Sequence, residues 1–252
     1  MSFMIPIGPQ PSPPARSIPV CGTRNGSGSS YGWQGTLVQI VAAALCSMTL
    51  AITTAASPAS AEPPVKIVAL GDSLTAGYGL ADKDGFVPRL QAALAAKSVA
   101  VEIENAGVSG DTASDGLARL DWSVPQGTDA VIVELGANDM LRGLKPDVTR
   151  QALDAIARRL TERHIAVLLC GMRAAPNLGA AYGEAFERIY PELATKYGVP
   201  LYPFFLDGVA GNLALTQSDG MHPNPAGVDV IVAHILPAVQ DLVARARAQR
   251  PS

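Results

Sequence analysis

Val65-Lys-Ile-Val-Ala-Leu-Gly-Asp-Ser-Leu74 decides the fold. Its first six residues are a short apolar, β-branched run with the brevity of a buried strand, and the run stops on Gly71-Asp72-Ser73-Leu74. The pattern recurs down the chain. Further strands are expected at 99–103, 130–135, 165–172 and 201–204, with helices at 86–96, 112–120, 146–163, 180–197 and 226–246. In the helix opened by Pro146, Val148, Leu153, Ile156 and Leu160 share one face. Apolar strands alternating with helices predict a three-layer α/β/α domain, a parallel sheet of about five strands covered on both faces. In such a sheet the ligand site lies outside the carboxyl ends of the strands. Gly71-Asp72-Ser73, Gly107 to Asp111, Gly136 to Asp139 and Met172-Arg173 each follow a strand, so four polar or glycine-rich turns converge on one rim.

Ser73 sits where a nucleophile would be well placed. A serine hydroxyl needs a base, and the base needs a third group to orient it. Asp219-Gly220-Met221-His222-Pro223, about 150 residues later, offers both in one short loop. The plain alternative for Ser73 is a helix N-cap. The turn is not the G-x-S-x-G elbow, because Thr75 stands where the second glycine belongs, and it is not a phosphate loop. Gly110, leading into a helix, can aim its backbone N–H at a developing oxyanion, and the Asn138 carboxamide can donate into the same rim. Their bland counterparts are an ordinary turn, in which Asp111 or Thr112 caps the helix, and an Asx-turn. Ser109 is a second serine in that region. His164, at a helix end, and His234, inside the last helix, fit a catalytic role less well. Three scattered histidines and a lone mature-chain cysteine give no metal-ligand spacing, so no metal is expected.

A net charge of -3 without a clustered Lys/Arg stripe argues against a nucleic-acid partner and against a polybasic membrane surface. The first 61 residues differ from the rest: they hold no Asp or Glu, and only Arg16 and Arg24 carry charge. An almost wholly apolar stretch from Leu37 to Ile52, followed by Ala59-Ser60-Ala61, describes a secretory signal peptide behind an atypically long leader. The stretch is short for a membrane span, which needs about 20 residues. Cleavage after Ala61 leaves one domain at 62–252, periplasmic or secreted, with no span retained and a monomeric state expected. Cys21 and Cys46 depart with the leader. Cys170 remains alone in an apolar run, where it reads as a buried small residue rather than a reactive thiol.

Taken together, the blocks around Ser73, Gly110, Asn138 and His222 resemble the SGNH (GDSL-type) hydrolase family, whose name records those four residue types in that order. The likeness extends to Ser109-Gly-Asp-Thr, Leu117-Ala-Arg-Leu120, Val133-Glu-Leu-Gly, Leu141-Arg-Gly143, Tyr190-Pro-Glu-Leu and Pro203-Phe-Phe205. Within the family the chain looks most like the bacterial periplasmic thioesterases, lysophospholipases and arylesterases. The resemblance implies a flavodoxin-like sheet and a serine esterase acting on acyl thioesters, aryl esters or lysophospholipids. It implies Ser73 as nucleophile, His222 as base and Asp219 as its orienter, with the oxyanion held by Ser73, Gly110 and Asn138 and no cofactor required. It places the acyl chain along Met140, Leu141 and Leu144, with the segment from Arg173 through Pro176 to Leu178 as the opposite wall. Asp72 and Asp111 are expected to brace the turns. Polysaccharide O-deacetylation is the alternative within the family, and a non-catalytic envelope binding protein the alternative outside it.

Overall fold

Val65–Gly71 forms β1, and the computed structural model describes residues 62–250, so the leader expected at 1–61 lies outside the described residues. Four more strands lie parallel to it: β2 at Val101–Gly107, β3 at Ala130–Glu134, β4 at Ala166–Cys170 and β5 at Leu201–Tyr202. Their order across the sheet is β2-β1-β3-β4-β5, the flavodoxin-like order expected. Every residue of β3 and β4 is buried, as strands covered on both faces must be.

β2 departs from the expected range. It starts two residues later and runs on to Gly107, because Val101 to Gly107 pair in register with Val65 to Gly71. Glu104 and Asn105 interrupt the apolar run in sequence, yet on an edge strand their side chains reach water.

Helices close both faces. On one side lie α2 (Phe86–Ala96) and α9 (Pro225–Gln249), which pack together and against the sheet. By length and composition α9 would suffice to cross a membrane, but Val228, Ile231, Ile235, Val239 and Leu242 are buried in the core. On the other side lie α3 (Ala113–Ala118), α6 (Pro146–Glu162) and α8 (Ile189–Tyr197). The helix expected over 180–197 is two pieces, α7 (Ala180–Glu187) and α8, which meet at Arg188. Pro191 explains the break, since a helix interior needs the N–H it lacks. The expected inner face of α6 also needs correcting: Val148 is 43% exposed, and Thr149 takes the inward place. The reason is polar, because the Thr149 hydroxyl donates to buried Asp139 at 2.9 Å.

Both ends of the domain are tied together at the amino ends of the strands. Arg250 donates to the carbonyls of Pro63 (2.8 Å) and Pro64 (2.7 Å) and to both carboxylate oxygens of Asp129 (3.1 and 2.7 Å).

Candidate active site

Short helices follow three neighbouring strands at the carboxyl edge of the sheet. After β1 comes Ser73–Ala76 (α1); after β2 comes the turn into α3; after β3 comes Ala137–Leu141 (α5). β1 lies between β2 and β3, where the strand order reverses, which is where open α/β sheets hold their ligands. The fourth contributor, the loop before α9, reaches the same rim from the far end of the chain.

Asp72, rather than Ser73, caps α1: its Oδ1 accepts the Leu74 N–H at 3.0 Å. Ser73 is therefore free to point outward, and its Oγ lies 2.9 Å from His222 Nε2. His222 Nδ1 lies 2.6 Å from Asp219 Oδ2. The other Asp219 oxygen accepts the N–H groups of Met221 (2.9 Å) and His222 (3.0 Å), which fixes the carboxylate against its own loop. The hydrogen bond from His222, with those two backbone donors, holds the Asp219 carboxyl down at about 2. A serine, an imidazole and an ionised carboxylate thus form one continuous line of hydrogen bonds.

Gly110 adopts a left-handed φ of +89° in the loop after β2. Asn138 joins three turns at once. Its amide donates to Asp72 Oδ2 and to the Asp111 carbonyl, both at 3.0 Å, so both amide hydrogens are engaged. It does not form the Asx-turn that was its bland alternative. Asp111 pairs with Arg119 at 2.6 Å, and Arg119 donates to the Gly71 carbonyl at 2.9 Å, so the turn after β2 is strapped to the end of β1. Thr112 caps α3 in a reciprocal capping box with Asp115.

Beneath the Ser73 turn lies a carboxyl pair that sequence reasoning missed. Glu134, the last residue of β3, is completely buried and accepts from the Thr75 hydroxyl at 2.7 Å. Burial, reinforced by the nearby Asp72 charge, pushes its carboxyl well above the usual range. Asp72 is raised to about 6, chiefly by burial, against the opposing bonds from Leu74 and Asn138. The only sequence signal was a glutamate inside an otherwise apolar strand. Tyr78 was also missed: its ring packs at a tilt against the His222 imidazole.

The expected substrate residues range from exposed to half-buried. Leu141 is exposed and Met140 half-buried on α5, and the Leu144 carbonyl accepts the Tyr182 hydroxyl of α7 at 2.9 Å. Arg173 lies over the Phe204 ring, 4.8 Å from its centroid, and Pro176 starts an exposed 3-10 turn. Cys170 is buried in β4, and burial pushes its thiol well up. His234 faces Asp207 on the surface at 3.2 Å. A cavity of about 430 Å³ around Lys66, Gln91, Glu104 and Thr128 lies toward the amino end of β1, away from this chemistry.

Residues 69–230 match the model of the GDSL-like lipase/acylhydrolase family. The chain is 38% identical over 178 residues to the esterase TesA of Pseudomonas aeruginosa, covering 70% of this chain and 89% of the relative. It is 39% identical over 178 residues to thioesterase 1/protease 1/lysophospholipase L1 of Escherichia coli K12, covering 70% and 84%. The crystal structure of AlinE4, an SGNH-hydrolase family esterase, superposes with a TM-score of 0.61 at 46% identity, covering 71% of this chain and 96% of that one.

Proposed function

We propose, from the premise that the chain belongs to the GDSL-like lipase/acylhydrolase family and is a carboxylic ester hydrolase, that it works through an acyl-enzyme on Ser73. The observation that carries this reading is the line Ser73–His222–Asp219, with a 2.9 Å contact across 149 positions and a 2.6 Å contact within one loop. Ser73 Oγ attacks the acyl carbon while its proton passes to His222 Nε2, and the carbonyl π pair moves onto oxygen. Asp219 keeps the Nδ1–H directed and balances the imidazolium. The oxyanion is received by the backbone N–H groups of Ser73 and Gly110, neither of which has an acceptor among the described residues. Asn138 adds an amide hydrogen shared between its present acceptor and the oxyanion. Collapse breaks the bond to the leaving oxygen or sulfur, which takes the proton from His222. Water then repeats the sequence and frees the acid.

The substrates proposed are acyl thioesters, aryl esters or lysophospholipids, their chains lying on Met140, Leu141 and Leu144 with Arg173 and Pro176 opposite. The enzyme is proposed to be an exported monomer that begins at Glu62, which intact mass of secreted protein tests. Hydrolysis of p-nitrophenyl esters from acetate to palmitate, by wild type and Ser73→Ala, tests the chemistry. Turnover that peaks at medium chains and vanishes in the variant is expected. Activity confined to acetate would point to a deacetylase, and activity retained by Ser73→Ala would remove the proposed nucleophile.

A further inference from the structure

Tyr78 is 54% exposed, yet it is held in place from two sides. Its centroid lies 4.7 Å from that of the His222 imidazole, with the planes inclined by 39°. The contact is built from both sides. Gly77 closes α1 in a left-handed turn, and the N–H groups of Gly77 and Tyr78 both donate to the Ser73 carbonyl, at 3.2 and 3.1 Å. The nucleophile's own turn therefore aims the ring. On the histidine side, the Gln217 amide donates to the Tyr78 carbonyl at 2.8 Å and to the Pro223 carbonyl at 3.0 Å, while its backbone N–H donates to the His222 carbonyl at 2.7 Å. Gly79 leaves room for that amide: a Cβ there would stand 2.3 Å from Gln217 Oε1.

We propose that Tyr78 is a positioning residue whose ring holds the His222 imidazole in plane with Ser73 and Asp219 and stabilises the imidazolium formed in each acyl-transfer step. The inference rests on the serine mechanism proposed above. Hydrogen bonds from Nδ1 and Nε2 fix the edges of the imidazole but leave its faces unrestrained. The negative face of an aromatic ring within about 6 Å attracts a cation far more than a neutral imidazole, so its effect appears when the Ser73 proton arrives. At a half-exposed site this attraction corresponds to roughly two- to thirtyfold in rate.

The test replaces Tyr78 with Phe, Trp and Leu, and with phenylalanines carrying one, two and three ring fluorines. kcat and KM are read on p-nitrophenyl butyrate, with Ser73→Ala in the same assay and an unfolding midpoint for each variant. Phe and Trp should retain wild-type turnover, and Leu should lower kcat about five- to tenfold with KM within about twofold. Each added fluorine drains the ring face at nearly constant size, so kcat should fall stepwise along the series. That series remains readable even if the Leu variant fails to fold. A flat fluorine series, Leu equal to Phe, or a loss confined to KM would overturn the proposal. Activity surviving in Ser73→Ala would instead overturn the nucleophile reading, a separate failure.

Discussion

Replacing Asp72 with Asn should make the protein progressively more stable relative to wild type as pH rises from 4 to 7. Asp72 is buried beneath the Ser73 turn and its carboxyl is raised from the ordinary 3.8 to about 6, first by burial. Below pH 3.8 it is protonated in folded and unfolded chains alike and its titration takes nothing from stability. Between 3.8 and about 6 the unfolded chain releases the proton while the folded chain retains it, so stability falls as pH rises through this window. At 1.36 kcal/mol for each tenfold, a rise from 3.8 to about 6 corresponds to about 3 kcal/mol, lost at no more than about 1.4 kcal/mol per pH unit. Asn carries no such ionisation. It does remove the acceptor of Asn138 Nδ2, and that offset is independent of pH. Urea unfolding followed by circular dichroism at pH 4, 5, 6 and 7 separates the two effects. The stability difference should move by up to about 3 kcal/mol in favour of the variant and level off above pH 6. A difference constant across the whole range would refute the raised carboxyl and the electrostatics drawn for this turn. Activity of the variant should fall, because an amide facing an amide no longer fixes Asn138.

Asn138→Ala should lower kcat by roughly 10²–10³-fold with KM little changed, the usual loss for one oxyanion donor, and a loss confined to KM would contradict that role. Asp219→Asn should lower kcat by roughly 10³–10⁴-fold, by analogy with the carboxylate of other serine triads. In wild type the Asp219 carboxyl should titrate near 2 by NMR, so its bond to His222 is complete above pH 3.8 and lost only as pH falls through about 2; a midpoint near 4 would show that the contact is not kept in solution. Gly71→Ala would place a methyl 2.1 Å from Thr75 Oγ1 and 2.7 Å from Glu134 Oε2, so stability should fall by about 1–3 kcal/mol; an unchanged thermal midpoint would mean the turn relaxes freely.

The sheet was legible because buried parallel strands are nearly continuous apolar runs: Ala166–Cys170 keeps that pattern to its end, and Ala130–Glu134 up to its last residue. It was less legible in β2, where an edge strand accommodates Glu104 and Asn105 without penalty. The blocks around Ser73, Gly110, Asn138 and His222 stood out because glycines and polar residues interrupt apolar runs there. What joins the blocks was invisible. Glu134 meets Thr75 across 59 positions, Arg119 meets Gly71 across 48, and Gln217 meets Tyr78 across 139. No local periodicity encodes such contacts, and a buried glutamate or arginine reads in sequence like any surface charge. Tyr78 was overlooked for a related reason: a tyrosine between two glycines suggests a turn, and only the fold brings an imidazole to its ring.

Arg250 gives the domain a handle. It gathers the start and the end of the domain at the amino ends of the strands, while Ser73 opens at their carboxyl ends, roughly 20 Å away along a seven-residue strand. A tether, tag or solid support attached at either end therefore pulls on the side facing away from the substrate. Both attachment points share one anchor, so Arg250 is the residue to keep when the enzyme is to be immobilised with its working edge outward.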